Sequence, residues 1–185
     1  VGAPLYLPDQ DRTTFDHSVL GEGDEVRFGA ARLTALATPG HTGVSHAYLV
    51  DDDYLFTGDT LFLDAVGRPD LEARGDAEEV GTHARLLHSS LVRLAALSSD
   101  LTVLPGHTSD PVAFDGAPLA ARLGEVRERI EAIGASEDAF VARLTSESRP
   151  APPNYERIVA LNEAGALPTD DLLELEAGAN RCAAG

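Results

Sequence analysis

Residues 38–60 read TPGHTGVSHAYLVDDDYLFTGDT, and this stretch decides the fold. Two apolar runs, 45–50 and 54–58, are separated by the polar turn Asp51, Asp52 and Asp53. Short runs rich in Val, Leu, Tyr and Phe, broken by Gly, Pro and Asp, read as strands. At the two ends of this pair stand glycine-flanked corners. Pro39 sets the chain direction and Gly40 permits an unusual backbone angle, so His41 is aimed; Gly58 does the same for Asp59. Corners held by rigid strands are where sites are commonly built.

Working outward, PLYLP, GEGDEVRFG and ARLTALAT precede this pair with the same texture. Five short strands in succession predict a mixed or antiparallel sheet. Beyond residue 76 the period changes: Val80, Ala84, Leu87, Leu91 and Leu94 recur at helical steps, with Asp76 as cap and Glu79 three residues on. TVLPGH at 102–107 then returns to strand and corner, placing His107 after Pro105 and Gly106. A second helical stripe, Leu119, Leu123, Val126, Ile130 and Ile133, is expected to stop at Gly134. Shorter helices are expected at 136–146 and 155–164, joined by SRPAPPN. A sheet followed by helices that pack on it is an α/β arrangement.

The chain of 185 residues has 43% apolar content, enough for one domain with a real core. Its formal charge is −17, and all 14 basic residues are arginine. So negative a field repels phosphate backbones and anionic lipid heads, so no nucleic acid and no membrane is expected as partner. The single cysteine, Cys182, forms no internal disulfide, no apolar run approaches the ~18 residues of a membrane span, and no signal peptide is visible. A cytoplasmic location is the expectation. The chain starts at Val1 without any methionine and opens into a strand-like segment, which reads as one domain, 1–185, truncated at its N-terminus.

Two copies of P-G-H-T and one G-D-T, each after an apolar strand, single out His41, Asp59 and His107 as candidate metal ligands. One such corner alone is ordinarily a loop histidine bonded to backbone; their repetition is the signal. Imidazole and carboxylate together suit zinc, iron(II) or manganese, and the lack of a usable cysteine removes thiolate-rich sites. His83 and His88 lie five apart, about 140° around a helix, and cannot share an ion from one face; both are expected at the surface. His17 and His46 read as ordinary loop and strand residues.

ATPGHTGVSHAYLV, LFTGDTLFLDAVGRPDL and VLPGHT together resemble the second half of the metallo-β-lactamase superfamily, whose fold is an αββα sandwich. GRPDL at 67–71 resembles the persulfide dioxygenase branch, including rhodanese-fused members, more than hydroxyacylglutathione hydrolases. The tail RPAPPNYERIVALNEAG with LELEAGANRC is similar to the segments that close the catalytic domain. The resemblance implies that His41 and Asp59, with one upstream histidine, form a 2-His-1-carboxylate triad on a mononuclear iron, Fe(II), with His107 near the substrate. In the zinc hydrolases of the superfamily, Asp59 would bridge two Zn(II) ions and His107 would hold the second. Arg68 would bind a carboxylate of a glutathione persulfide, or pair structurally with Asp70.

The superfamily's H-x-H-x-D-H signature does not occur in this sequence, so the chain is expected to be inactive alone. SDPVAFDG at 109–116 also departs from the small residues and cysteine of rhodanese-fused relatives. The sheet surface that another half would cover is expected to pair two copies into a homodimer; a monomeric profile in sizing chromatography would overturn that expectation.

Overall fold

The computed structural model describes residues 2–74, 76–108, 112–113, 115–146, 150–167, 172–175 and 183–184. Cys182, most of LELEAGANRC and half of SDPVAFDG lie outside the described residues. Strands β1 (Tyr6–Leu7) and β2 (Ser18–Val19) form a small parallel pair. The main sheet follows with β3 (Glu25–Phe28), β4 (Ala31–Ala37), β5 (His46–Val50) and β6 (Tyr54–Gly58). After the two-residue β7 (Val66–Gly67) come helix α1 (Ala77–Ala95), β8 (Thr102–Pro105) and β9 (Ala121–Arg122). The C-terminal part holds α2 (Leu123–Arg129), a 3₁₀ turn (Glu131–Gly134), α3 (Glu137–Ser146), α4 (Tyr155–Ala164), α5 (Leu172–Leu175) and β10 (Ala183–Ala184), which pairs with β7.

The six-stranded sheet runs β3-β4-β5-β6-β8-β9, antiparallel throughout except for the parallel β6–β8 pair. A parallel pair needs a crossover, and α1 supplies it. The mixed sheet matches the expectation, but PLYLP is not part of it: Tyr6 and Leu7 pair with Ser18 and Val19 instead. That segment offers only two residues to pairing, too few to extend a sheet.

Alternation along the strands separates two faces. Ala47, Leu55 and Val103 point to one side, where they meet Leu87, Leu91 and Leu94 of α1 in the core that Phe140 and Leu144 of α3 complete. The stripe read along residues 80–94 is therefore the packing face of α1, and Asp76 caps it by accepting the Glu78 and Glu79 N–H groups. On the opposite side the register sets Tyr48 beside Phe56, and Tyr54 and Phe56 are 47% and 44% exposed. Among the described residues no helix is long and apolar enough to cross a membrane.

Two expectations need correction. The second helical stripe does not form one helix from 119 to 133. Ala121 and Arg122 pair with Val103 and Thr102 as β9, α2 starts only at Leu123, and Ile130 leaves the helix at φ −102° and ψ 93°. Ile130 is nonetheless 3% exposed, so a break that sends it and Ala132 into the core outweighs the continuity of the helix. His83, expected at the surface, is 8% exposed, with its Nε2 4.0 Å from Glu72 Oε2. His88 is half-buried, its Nε2 3.0 Å from the Ala135 carbonyl and its ring against Phe140. Helices α3 and α4 lie where the sequence puts them.

Candidate metal centre

All three corners stand at the same end of the sheet, after β4, β6 and β8. The first is held from behind by α1: Ser90 Oγ donates to the Pro39 carbonyl at 2.8 Å. Gly40 takes φ +140°, and a Cβ there would lie 2.4 Å from the Leu87 backbone, so the corner and the helix touch main chain to main chain. Thr38 and Thr60, both buried, share a 2.9 Å hydroxyl contact that ties the first corner to the second. The third corner joins the second through the Gly106 N–H, which donates to the Gly58 carbonyl at 2.9 Å.

These ties bring the side chains together around one carboxylate. His41 Nε2 lies 3.5 Å from Asp59 Oδ2, and His107 Nε2 lies 2.8 Å from Asp59 Oδ1. The His107 ring also packs against Phe62, with centroids 5.3 Å apart. Two glycines make room for this. At Gly106 a Cβ would sit 2.5 Å from Asp59 Oδ1; at Gly67 it would sit 2.0 Å from the Asp59 carbonyl and 3.1 Å from His41 Cβ. Both positions admit no side chain without moving the site.

The orientation of His41 follows from its other nitrogen. Nδ1 is 2.9 Å from the Arg68 carbonyl, which only accepts, so Nδ1 carries the hydrogen. In the neutral ring Nε2 is then a lone pair facing an anionic oxygen. Such an arrangement is satisfied by a proton or by a cation set against both groups, and a backbone carbonyl behind the distal nitrogen is how metal-binding histidines are commonly oriented. The donor set thus fits a divalent ion of the zinc or iron(II) kind. Among the described residues, however, no three or more His, Cys, Asp or Glu side chains converge closely enough to hold an ion by themselves.

Arg68 is 1% exposed. Its Nε and Nη2 donate to Asp70 Oδ1 and Oδ2 at 2.7 and 2.6 Å, and Nη1 donates to the Pro150 carbonyl at 2.8 Å. The expected pair with Asp70 is formed as a bidentate fork. His46 sits in β5 as expected, with Nδ1 2.9 Å from the Val44 carbonyl. His17 lies in the loop before β2, its Nδ1 near Thr13 and Phe15. Sequence reasoning missed Gly67, Thr60 and the Arg68 carbonyl. Only their fixed place within GRPDL and GDT marks Gly67 and Thr60, and nothing in a sequence marks a carbonyl.

Residues 3–107 match the Metallo-beta-lactamase superfamily. Hydroxyacylglutathione hydrolase from Xylella fastidiosa (strain 9a5c) is 36% identical over 104 residues, 56% of this chain and 36% of that protein. Hydroxyacylglutathione hydrolase from Brucella ovis is 42% identical over 111 residues, 57% of this chain and 38% of its own. The chain thus spans only about a third of the length of these relatives. Among solved structures, a metallo-beta-lactamase from Staphylococcus aureus subsp. aureus COL superposes with a TM-score of 0.77 at 24% identity, covering 89% of this chain and 53% of that one. ETHE1 from Myxococcus xanthus superposes with a TM-score of 0.71 at 29% identity, covering 89% of this chain and 67% of its own. Strand order, corners and match together establish that this chain belongs to the metallo-β-lactamase superfamily.

Proposed function

We propose that this chain carries part of the metal-ligand set of a persulfide dioxygenase-like enzyme, whose substrate is a small thiol derivative such as glutathione persulfide. The observation that carries the metal reading is the His41 Nε2 lone pair turned toward Asp59 while Nδ1–H is engaged by the Arg68 carbonyl. His41 and Asp59 hold the ion with one further histidine from outside this sequence. His107 stands on the other oxygen of Asp59, at the edge of the site, where it orients substrate and holds a proton at Nε2. Arg68, locked to Asp70 and Pro150, keeps its own carbonyl under His41. The dioxygenase-like choice is supported by GRPDL and by the likeness to ETHE1 across 89% of the chain.

A second reading, a dinuclear zinc hydrolase of a thioester such as hydroxyacylglutathione or of a lactone, is favoured by one specific feature. Asp59 offers a different oxygen to each histidine, the pattern of a bridging carboxylate, and the Xylella and Brucella relatives are hydroxyacylglutathione hydrolases. When bound, iron(II) supplies open positions for sulfur and dioxygen, whereas zinc supplies Lewis acidity toward a thioester carbonyl.

Metal content per chain, measured after anaerobic preparation, separates these. A chain extended upstream to include an H-x-H-x-D-H segment is expected to retain about one iron, and the 185-residue chain almost none. Two zinc ions in the longer chain would establish the hydrolase. Stoichiometric metal in the short chain would show that His41, Asp59 and His107 suffice.

A further inference from the structure

We infer that Glu72 is a positioning residue for the His41 corner, and that Arg12 and Glu163 extend its hold to helix α4. Only the consequence for metal affinity rests on the function proposed above. Glu72 uses both carboxylate oxygens: Oε2 accepts the Gly43 N–H at 2.5 Å and Oε1 accepts Arg12 Nη1 at 2.5 Å. Gly43 lies two residues past His41, in the loop that closes through Gly40 N–H to the Thr42 carbonyl and through the Thr42 and Ser45 hydroxyls.

The segment 67–72 therefore grips the corner at two points. The Arg68 carbonyl takes the ring N–H of His41, and the Glu72 carboxylate takes the backbone N–H two residues on. Holding ring and loop from one rigid segment removes rotation about the corner, which either contact alone would permit. A hydrogen bond from an amide to a carboxylate is roughly twice as strong as a neutral one. From the opposite side Ser90 holds the Pro39 carbonyl, so the loop is clamped between α1 and residues 67–72.

Arg12 makes Glu72 more than a local tie. Its Nε and Nη2 reach Glu163 Oε1 at 2.7 and 2.6 Å, and hydrogen bonding to Glu163 leads the effects that raise the guanidinium pKa. Beside it, the Thr14 N–H and hydroxyl bond the carbonyls at the end of α4. Phe15 lies where a Cβ on Gly165 would meet its ring at 2.6 Å. A continuous line of ion pairs and hydrogen bonds thus runs from α4 through Arg12 and Glu72 to the His41 loop. His83 Nε2, 4.0 Å from Glu72 Oε2, borders this line from α1.

Glu72→Met keeps length and removes both accepting oxygens. In the 185-residue chain it is expected to speed amide exchange at Gly43 about tenfold or more and to shift the imidazole nitrogen resonances of His41. In the chain extended upstream with the H-x-H-x-D-H segment, the Kd for Zn²⁺ should rise about tenfold, as when a residue that supports a ligand is lost. Arg12→Gln should move the same signals less. Unchanged Gly43 and His41 signals in Glu72→Met would overturn the inference, whatever happens to thermal stability, because a merely structural ion pair would alter Tm and not the ring. If Glu72→Met does not fold, Glu72→Gln carries the same comparison at smaller amplitude. If the chain extended upstream with the H-x-H-x-D-H segment binds no Zn²⁺, the metal reading fails, while the Gly43 and His41 signals still decide the role of Glu72.

Discussion

Gly40→Ala is expected to lower Tm by about 10 °C. The new Cβ would stand 2.4 Å from N, Cα and Cβ of Leu87, atoms of a helix backbone or bonded directly to it, with no free end to move. Forcing a methyl into such a contact costs about 1–3 kcal/mol. The residue must also hold φ +140°, which an L side chain rarely adopts, for about another 1–3 kcal/mol. For a domain of this size each kcal/mol shifts Tm by roughly 2–4 °C. Gly81→Ala provides the contrast: Gly81 lies inside α1, its Cβ would meet only an arginine side chain at 3.7 Å, and helix propensity favours alanine. That variant should be stabilised by about 0.5–1 kcal/mol. If calorimetry finds Gly40→Ala within a degree of the native chain, the corner is not seated on Leu87 as described.

Asp59→Asn is expected to cost the largest loss of metal affinity, about 100-fold or more in Zn²⁺ titration of the chain extended upstream with the H-x-H-x-D-H segment, because it removes the anion both histidines face. Stability should move the other way or not at all. Asparagine keeps the shape of aspartate, and its amide N–H₂ can donate to a histidine Nε2 lone pair that the carboxylate only repels. A site that gains or keeps Tm while losing its cation holds its carboxylate for binding rather than for folding. Should Asp59→Asn lower Tm by several degrees and leave Zn²⁺ binding unchanged, the carboxylate is a structural anchor and the metal reading falls with it.

How much of this was legible in the sequence follows from how far each interaction reaches. Strand runs, the aspartate turn, the cap at Asp76 and helix α4 were all readable, because each depends on residues within a few positions of one another. The three corners were readable too, since Pro-Gly and Gly-Asp impose their bends locally. The same short strings carry the resemblance to the family, and they fall within the matched residues 3–107.

Tertiary structure decided the rest. Whether His83 faces water depends in part on Glu72, brought to 4.0 Å from its Nε2, a contact that no helical wheel contains. The fork between Arg68 and Asp70 is joined by the Pro150 carbonyl, which arrives from 82 residues away in sequence. The end of α2 at Ile130 answers to the core, which takes Ile130 and Ala132 and turns the last expected stretch of helix into a 3₁₀ turn. Gly67 and Gly106 are obligatory only because Asp59 and His41 arrive beside them from other strands. By itself the sequence determined the kinds of donor and the corners that present them. The distances between those donors, and the glycines and carbonyls that seat them, exist only once the sheet brings β4, β6 and β8 to one end, because packing between segments remote in sequence leaves no local pattern to read.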